Sequence, residues 1–191
     1  LMDQFRTIVS DIDSIVLSDY GKGLLSQDLT RELIKTADRN NVPVVVDPKG
    51  SNYSKYSGAS TITPNTSEAE QAAELEIDSN SSLQRAGEKL LKQYSFDSLL
   101  ITRGSEGMAL FESPGVSFTN LEAQAREVYD VTGAGDTVVS LMGLGLAGSN
   151  EFYQSAQLAN KGAGIVVGKV GTATVTRDEI LEYLQSSITQ E

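Results

Sequence analysis

The period of the hydrophobic positions changes repeatedly along the chain. Leu1, Phe5, Ile8, Val9 and Ile12 recur at helical spacing. Ser14–Ile15–Val16–Leu17–Ser18 is a short apolar run suited to a buried strand, and it ends at the polar loop Asp19–Tyr20–Gly21–Lys22–Gly23. Ser26 can cap a helix that presents Leu29, Leu33, Ile34 and Ala37 and stops at Asn40–Asn41. Pro43 opens a strand, Val44–Val45–Val46, which stops at Asp47–Pro48–Lys49–Gly50. Thr61–Ile62–Thr63 is a further short strand running into Pro64–Asn65–Thr66–Ser67–Glu68. Ser67 and Glu70 form a capping-box pattern for a helix through Leu75. A helix near Ser81 to Tyr94 would bury Leu83, Ala86, Leu90 and Leu91. Then come Leu99–Leu100–Ile101, a turn from Thr102 to Gly107, and strands near Met108–Phe111 and Val116–Thr119. Three helices close the chain: one after Gly133, one near Glu151 to Val167 and one near Asp178 to Ile188.

Strands and helices thus alternate with short connections, and no internal repeat or linker interrupts them. The pattern predicts one α/β domain over residues 1–191, a doubly wound, mostly parallel sheet with flanking helices and an antiparallel portion late in the chain. Such sheets bind ligands at the carboxyl ends of their strands. The polar segments fall there: Asp19 to Lys22, Asp47 to Lys49, Asn65 to Glu68, Thr102 to Gly107 and Asp130 to Asp136.

Composition narrows the chemistry. The net charge of −11 argues against a nucleic-acid surface, which needs a basic face, but not against an anionic small molecule. There is no cysteine and no histidine, which excludes disulfides, thiol catalysis, His-containing zinc sites and Ser-His-Asp triads. A general acid or base must therefore be Asp, Glu, Lys or Tyr. No apolar run approaches the length of a membrane span, and no signal-peptide pattern opens the chain. Leu1–Met2 already lies inside the first helical pattern, so a further N-terminal piece is expected upstream.

The most informative stretch is Asp130–Val131–Thr132–Gly133–Ala134–Gly135–Asp136–Thr137, between the β-rich Glu127–Val128–Tyr129 and an apolar helical run. Gly133 and Gly135 let the backbone approach a ligand. The helix that follows offers free N–H groups and a positive dipole end to an anion. Asp136 sits in its first turn, so phosphoryl transfer is suggested, with amides stabilising charge and a carboxylate taking a hydroxyl proton. A Gly-rich helix start with a dipole-compensating Asp is the plainer alternative.

Other segments carry paired readings. Asn65 and Glu68 could order water around Mg²⁺, or simply cap a helix. Thr102–Arg103–Gly104–Ser105–Glu106–Gly107 could lie along nucleotide phosphates, or be a hairpin turn. Lys49 and Lys22, each just past a strand, could meet phosphate or be solvated. Gly143–Leu144–Gly145–Leu146–Ala147–Gly148 satisfies G-x-G-x-x-G, but it lies late in a helix, where Gly143 and Gly145 would serve packing and Gly148 a C-terminal cap. A Walker A loop is absent. The small-residue run from Asn160 to Gly171 would pack closely, or pass a flat base and expose carbonyls to a cation.

Three motifs in order, Asn65-x-x-Glu68, Thr102-x-Gly104-x-x-Gly107 and Asp130-x-x-Gly133–Ala134–Gly135–Asp136, resemble those of the ribokinase-like (PfkB) carbohydrate kinases. Leu17 to Gly23, Asp47 to Gly50, Thr63–Pro64–Asn65 and Glu127 to Thr132 are similar to the branch acting on D-glycero-β-D-manno-heptose 7-phosphate, on the route to ADP-heptose and lipopolysaccharide. The resemblance implies roles. Asp136 would be the base that activates the sugar hydroxyl, and the Gly133, Ala134 and Gly135 amides an anion hole. Asn65 and Glu68 would organise Mg²⁺. Lys49, Thr102, Gly104 and Gly107 would contact ATP, with Asn160 near the adenine. Asp130 and Thr132 would belong to a K⁺ loop, and Lys22 would meet the sugar phosphate. It also implies a cytoplasmic enzyme, a homodimer, a nucleotidyltransferase domain fused outside this chain, and a chain that is the last two-thirds of a kinase domain, without the N-terminal lid and sugar contacts.

Overall fold

The computed structural model describes residues 1–125, 128–149 and 151–188. Glu127, assigned above to the strand-like lead-in, lies outside the described residues. Six strands form one sheet in chain order: β1 (Ile15–Ser18), β2 (Val44–Asp47), β3 (Thr61–Ile62), β4 (Ser98–Thr102), β5 (Met108–Glu112) and β6 (Ser117–Leu121). β1 to β4 are parallel, while β4–β5 and β5–β6 are antiparallel. This is the mixed sheet expected from the pattern.

Alternation along the strands divides the core into two layers. Val44, Val46, Ile62, Leu99, Ile101 and Phe111 face α2 (Gln27–Arg39), α3 (Thr66–Ala73) and α4 (Asn80–Tyr94). Val45, Leu100, Met108 and Leu110 face α5 (Ala134–Ser149) and α6 (Phe152–Val167). α1 (Met2–Ile8) opens the chain and α7 (Arg177–Ile188) follows α6. Among the described residues no helix is long and apolar enough to cross a membrane.

Local chemistry explains most boundaries. Ser26 caps α2, its hydroxyl accepting the Leu29 N–H at 3.4 Å. α4 buries Leu83, Ala86, Leu90 and Leu91 as its periodicity requires. The opening helix is shorter than expected: it gives way to a 3₁₀ turn at Val9–Asp11, leaving Leu1 and Ile8 exposed while Val9 enters the core. The capping box also moves. β3 ends at Ile62 and α3 begins at Thr66, so Asn65 is the cap and Glu68 its reciprocal partner, not Ser67 and Glu70. Glu70 instead accepts the Ile77 N–H at 2.9 Å.

Glycines fix how closely the layers meet. A Cβ at Gly143 would lie 2.7 Å from Val16 Cγ2, and one at Gly145 2.6 Å from Ser155 Oγ. The G-x-G-x-x-G run therefore serves packing, as its position suggested. Gly148, expected as a cap, lies inside α5, which runs to Ser149. In α4, a Cβ at Gly87 would come within 2.5 Å of ring carbons of the fully buried Phe111. Gly87→Ala would gain about 1 kcal/mol of helix propensity but force an overpacked core, typically costing about 1–3 kcal/mol. We expect a net loss of about 1 kcal/mol, read as a lower urea midpoint with unchanged slope.

Candidate active site

The carboxyl ends of β1 to β4 lie along one edge of the sheet, and each ends in a polar group. After β1, Asp19 is almost wholly buried and accepts the Gly21 N–H at 2.7 Å and the Tyr56 hydroxyl at 2.6 Å, with Lys55 as its ion-pair partner. Burial alone would raise its pKa. The hydrogen bonds from Lys55, Tyr56 and Gly21 outweigh that and hold the carboxyl below its usual range. Lys22, between two glycines of positive φ, is exposed and has no ion-pair partner among the described residues.

β2 ends in Asp47, which accepts the Ser18 hydroxyl at 3.4 Å. Burial, then the charges of Glu68 and Asp136, push its pKa up to about 6, against the opposing influence of Ser18 and Lys49. The charges of two carboxylates from other segments thus reach Asp47. Asp47 was visible in the sequence as a polar residue ending a strand and as part of the Asp47 to Gly50 resemblance; nothing in its spacing ties it to residues 21 and 89 positions away.

After β3, Asn65 and Glu68 close their capping box: Asn65 Oδ1 accepts the Glu68 N–H at 2.9 Å and Glu68 Oε2 accepts the Asn65 N–H at 3.1 Å. The capping reading is thus realised, yet Glu68 Oε1 still faces Lys49 Nζ at 3.5 Å. The Tyr53 hydroxyl donates to the Glu68 carbonyl at 3.1 Å, fixing the first turn of α3 from below.

After β4, the Thr102 to Gly107 segment is a hairpin turn, with the Arg103 N–H donating to the Gly107 carbonyl at 2.8 Å. Gly107 has a φ of +82°, and a Cβ there would lie 2.6 Å from the Ala123 nitrogen. The turn also walls a cleft of about 310 Å³. Thr102, Gly104 and Gly107 line one side, Ala134 and Gly135 another, and Asn160 and Gly164 of α6 a third. Val128, Val131 and Val138 make it largely apolar, and its volume is at the lower end of the range for small-ligand sites. Asn160 is buried there and donates to the Glu122 carbonyl at 2.7 Å. Residues far apart in sequence thus share one concavity.

α5 begins at the mouth of this cleft. Gly133 takes a φ of +84°, which reverses the chain into the helix. The Ala134 N–H donates to the Val131 carbonyl at 3.2 Å, so it is occupied and does not count among the free donors expected of Gly133, Ala134 and Gly135. The N–H groups of Gly133, Gly135 and Asp136 have no acceptor among the described residues, and Gly135 and Asp136 are exposed. Before them, Asp130 Oδ1 accepts the Thr132 N–H at 2.9 Å. Backbone and side-chain hydrogen bonds from Thr132, then one from Gly171, hold that carboxyl below its usual range. The Asp130 N–H donates to the Val167 carbonyl at 3.3 Å, tying this turn to the end of α6.

Comparison with known proteins fits this geometry. The profile of the pfkB family of carbohydrate kinases matches residues 1–179. The chain is 50% identical over 177 residues to the Bifunctional protein HldE of Desulfatibacillum aliphaticivorans, covering 93% of this chain and 36% of that protein. For the Bifunctional protein HldE of Geobacter sulfurreducens the figures are 51% over 170 residues, 89% and 34%. The chain thus spans roughly a third of the length of these relatives. Among solved structures, Arabidopsis thaliana ribokinase complexed with ribose and ATP superposes with a TM-score of 0.83 at 21% identity, covering 96% of this chain and 59% of that one. Escherichia coli phosphofructokinase-2 in complex with potassium gives 0.79 at 19% identity, with 97% and 62% covered. At those identities the likeness is one of fold. The chain belongs to the pfkB family of carbohydrate kinases.

Proposed function

We propose that the chain carries the catalytic core of an ATP-dependent kinase of D-glycero-β-D-manno-heptose 7-phosphate, acting at the anomeric hydroxyl to give the 1,7-bisphosphate for ADP-heptose and lipopolysaccharide synthesis. The observation that supports the chemistry is the start of α5, where free N–H groups and the exposed Asp136 carboxylate meet beside a largely apolar cleft. The heptose is supported by the resemblance of residues 17–23 and 47–50 together with the bifunctional relatives. The bifunctional name and greater length of those relatives support a second domain elsewhere in the polypeptide, which the resemblance makes a nucleotidyltransferase; a homodimer and a cytoplasmic setting belong to the same reading.

In this reading the adenine enters the cleft beside Asn160, and Thr102, Gly104 and Gly107 follow the phosphates, with Lys49 adding charge. Asp136 accepts the proton of the acceptor hydroxyl as its oxygen bonds to the γ-phosphorus. The bond from that phosphorus to the β–γ bridging oxygen breaks, leaving ADP. The N–H groups of Gly133, Gly135 and Asp136, with the helix dipole, stabilise the transferring oxygens. Lys22 holds the acceptor's own phosphate away from the reacting centre.

The residues fit a hydrated divalent ion. Among the described residues no three metal-binding side chains converge closely enough to cage a cation directly. Yet the charges of Glu68 and Asp136 add to burial in raising the Asp47 carboxyl to about 6. Mg²⁺ keeps most of its waters and would be held by Glu68 and Asn65 through them, supplying charge neutralisation between nucleotide phosphates. Asp130 and Thr132, in the turn tied to α6, are the K⁺ candidates.

Asp136→Asn in the complete polypeptide should retain ATP binding and lose about 10²–10⁴-fold in kcat, the worth of a positioned base. Unchanged turnover would remove Asp136 from that role. A competition assay with ATP, Mg²⁺ and K⁺ tests the acceptor. The heptose 7-phosphate should exceed fructose, ribose and nucleosides in kcat/KM, with the unphosphorylated sugar losing kcat as well as affinity. A faster reaction on fructose or ribose would keep the kinase and overturn the heptose.

The raised Asp47 pKa sets a pH dependence. Its folded value of about 6 lies above the ordinary 3.8, so its contribution to stability is present below about pH 4 and lost as pH rises through 6. Without Mg²⁺, Asp47→Asn should therefore raise Tm by about 2–4 °C at pH 8. The gain should vanish near pH 4 in thermal melts.

A further inference from the structure

Two loops that carry cationic side chains, residues 19–25 and 47–50, are joined through one buried carboxylate. Asp19 is 6% exposed. Its Oδ1 accepts the Gly21 N–H at 2.7 Å, fixing the turn that presents Lys22. Its Oδ2 accepts the Tyr56 hydroxyl at 2.6 Å and pairs with Lys55. The same Tyr56 oxygen accepts the Lys49 N–H at 3.1 Å. Lys55 Nζ also donates to the Leu25 carbonyl at 3.4 Å, closing the far end of the first loop. The Asp19 N–H donates to the Asp47 carbonyl at 3.0 Å. A Cβ at Gly21 would lie 3.4 Å from Lys49 Cγ, so the loops touch as well.

A buried charge of this kind is strongly destabilising when its partner is lost, and hydrophobic packing could replace the whole set at little expense in stability. Every bond that Asp19, Lys55 and the Tyr56 hydroxyl make here ends on one of the two loops or on one another. The arrangement is suited to holding two lysines of different loops at a fixed separation before an anion arrives, which spares the ligand the loss of loop entropy on binding.

We propose that Asp19 is a positioning residue which, through Tyr56 and Lys55, couples the Lys22 and Lys49 loops into one preformed frame for anionic ligands. The proposal rests on the assignment of those lysines to phosphate groups given above. It extends that reading by naming the groups that hold them.

Tyr56→Phe removes only the hydroxyl that joins Asp19 to the Lys49 amide, keeping the ring in its place. Asp19→Asn removes the charge. Both are compared, in the complete polypeptide, with Leu90→Val, a core change in α4 that removes none of these bonds. Hydrogen exchange should quicken at residues 47–50 in Tyr56→Phe, and at both 19–25 and 47–50 in Asp19→Asn, but at neither in Leu90→Val. KM for the phosphorylated sugar or for ATP should rise about tenfold in the two relay variants. Their kcat should stay within about threefold of wild type, whereas a purely structural role would lower active fraction and leave both KM values alone. Unaltered exchange in the two loops, or both KM values within twofold of wild type, would overturn the proposal. If the wild-type enzyme itself favours an unphosphorylated sugar, the acceptor assignment falls, while exchange and the ATP KM still decide whether Asp19 couples the loops.

Discussion

Parallel strands covered on both faces can end only in polar chemistry at their tips, and that constraint organises this molecule. Val44, Val45 and Val46 are all buried, so β2 has no polar position until Asp47. In β4, Leu99, Leu100 and Ile101 are likewise wholly covered, between Ser98, whose hydroxyl bonds Thr61 of β3 at the far end, and Thr102. The parallel strands therefore deliver polar side chains at their carboxyl ends, in a setting only partly reached by water. There the groups must satisfy one another, as Asp19, Tyr56 and Lys55 do, or remain under electrical tension, as Asp47 does beside Glu68 and Asp136. A polyanionic ligand brought in with a cation is the natural complement to such an edge.

Much of this was legible from residue order. The strand–helix alternation, the late antiparallel strands and the buried face of α4 follow from period and punctuation, because each depends on neighbours within a turn or a pleat. The candidate site was legible as a set of strand ends and a Gly-rich helix start. The precise cap of α3 was not: Ser67–Glu70 and Asn65–Glu68 are equally good local patterns, and only the end of β3 at Ile62 decides between them. Nor could spacing reveal that the Ala134 amide is used by Val131, or that Gly148 stays helical. These depend on the path of the backbone and not on the residue types. Least visible were Asp47 and the Asp19–Tyr56–Lys49 connection, whose members meet only after three strands have been laid side by side.

The cleft has a mixed origin that bears on its chemistry. One wall is the turn at which the sheet changes from parallel to antiparallel, and the other walls come from helices of the opposite layer. The turn is held by backbone proximity at Gly107, while the helical walls are held by side-chain packing. An adenine ring between them would meet a floor that cannot adapt and sides that can. A purine there would be read mainly by shape and apolar contact.

The glycines packed between α5 and its neighbours have a mechanical consequence. Gly143 rests on Val16 and Gly145 on Ser155, with Gly162 of α6 beneath Leu141, at separations that leave no room for a methyl group. Such contacts act as detents that fix the axial position and roll of α5. Asp136 lies nine residues from Gly145, about 13 Å along the rod at 1.5 Å per residue. The rod transmits any slip at its far end to the carboxylate almost undiminished. The aim of the Asp136 carboxylate is thus set by bare backbone two and a half turns away.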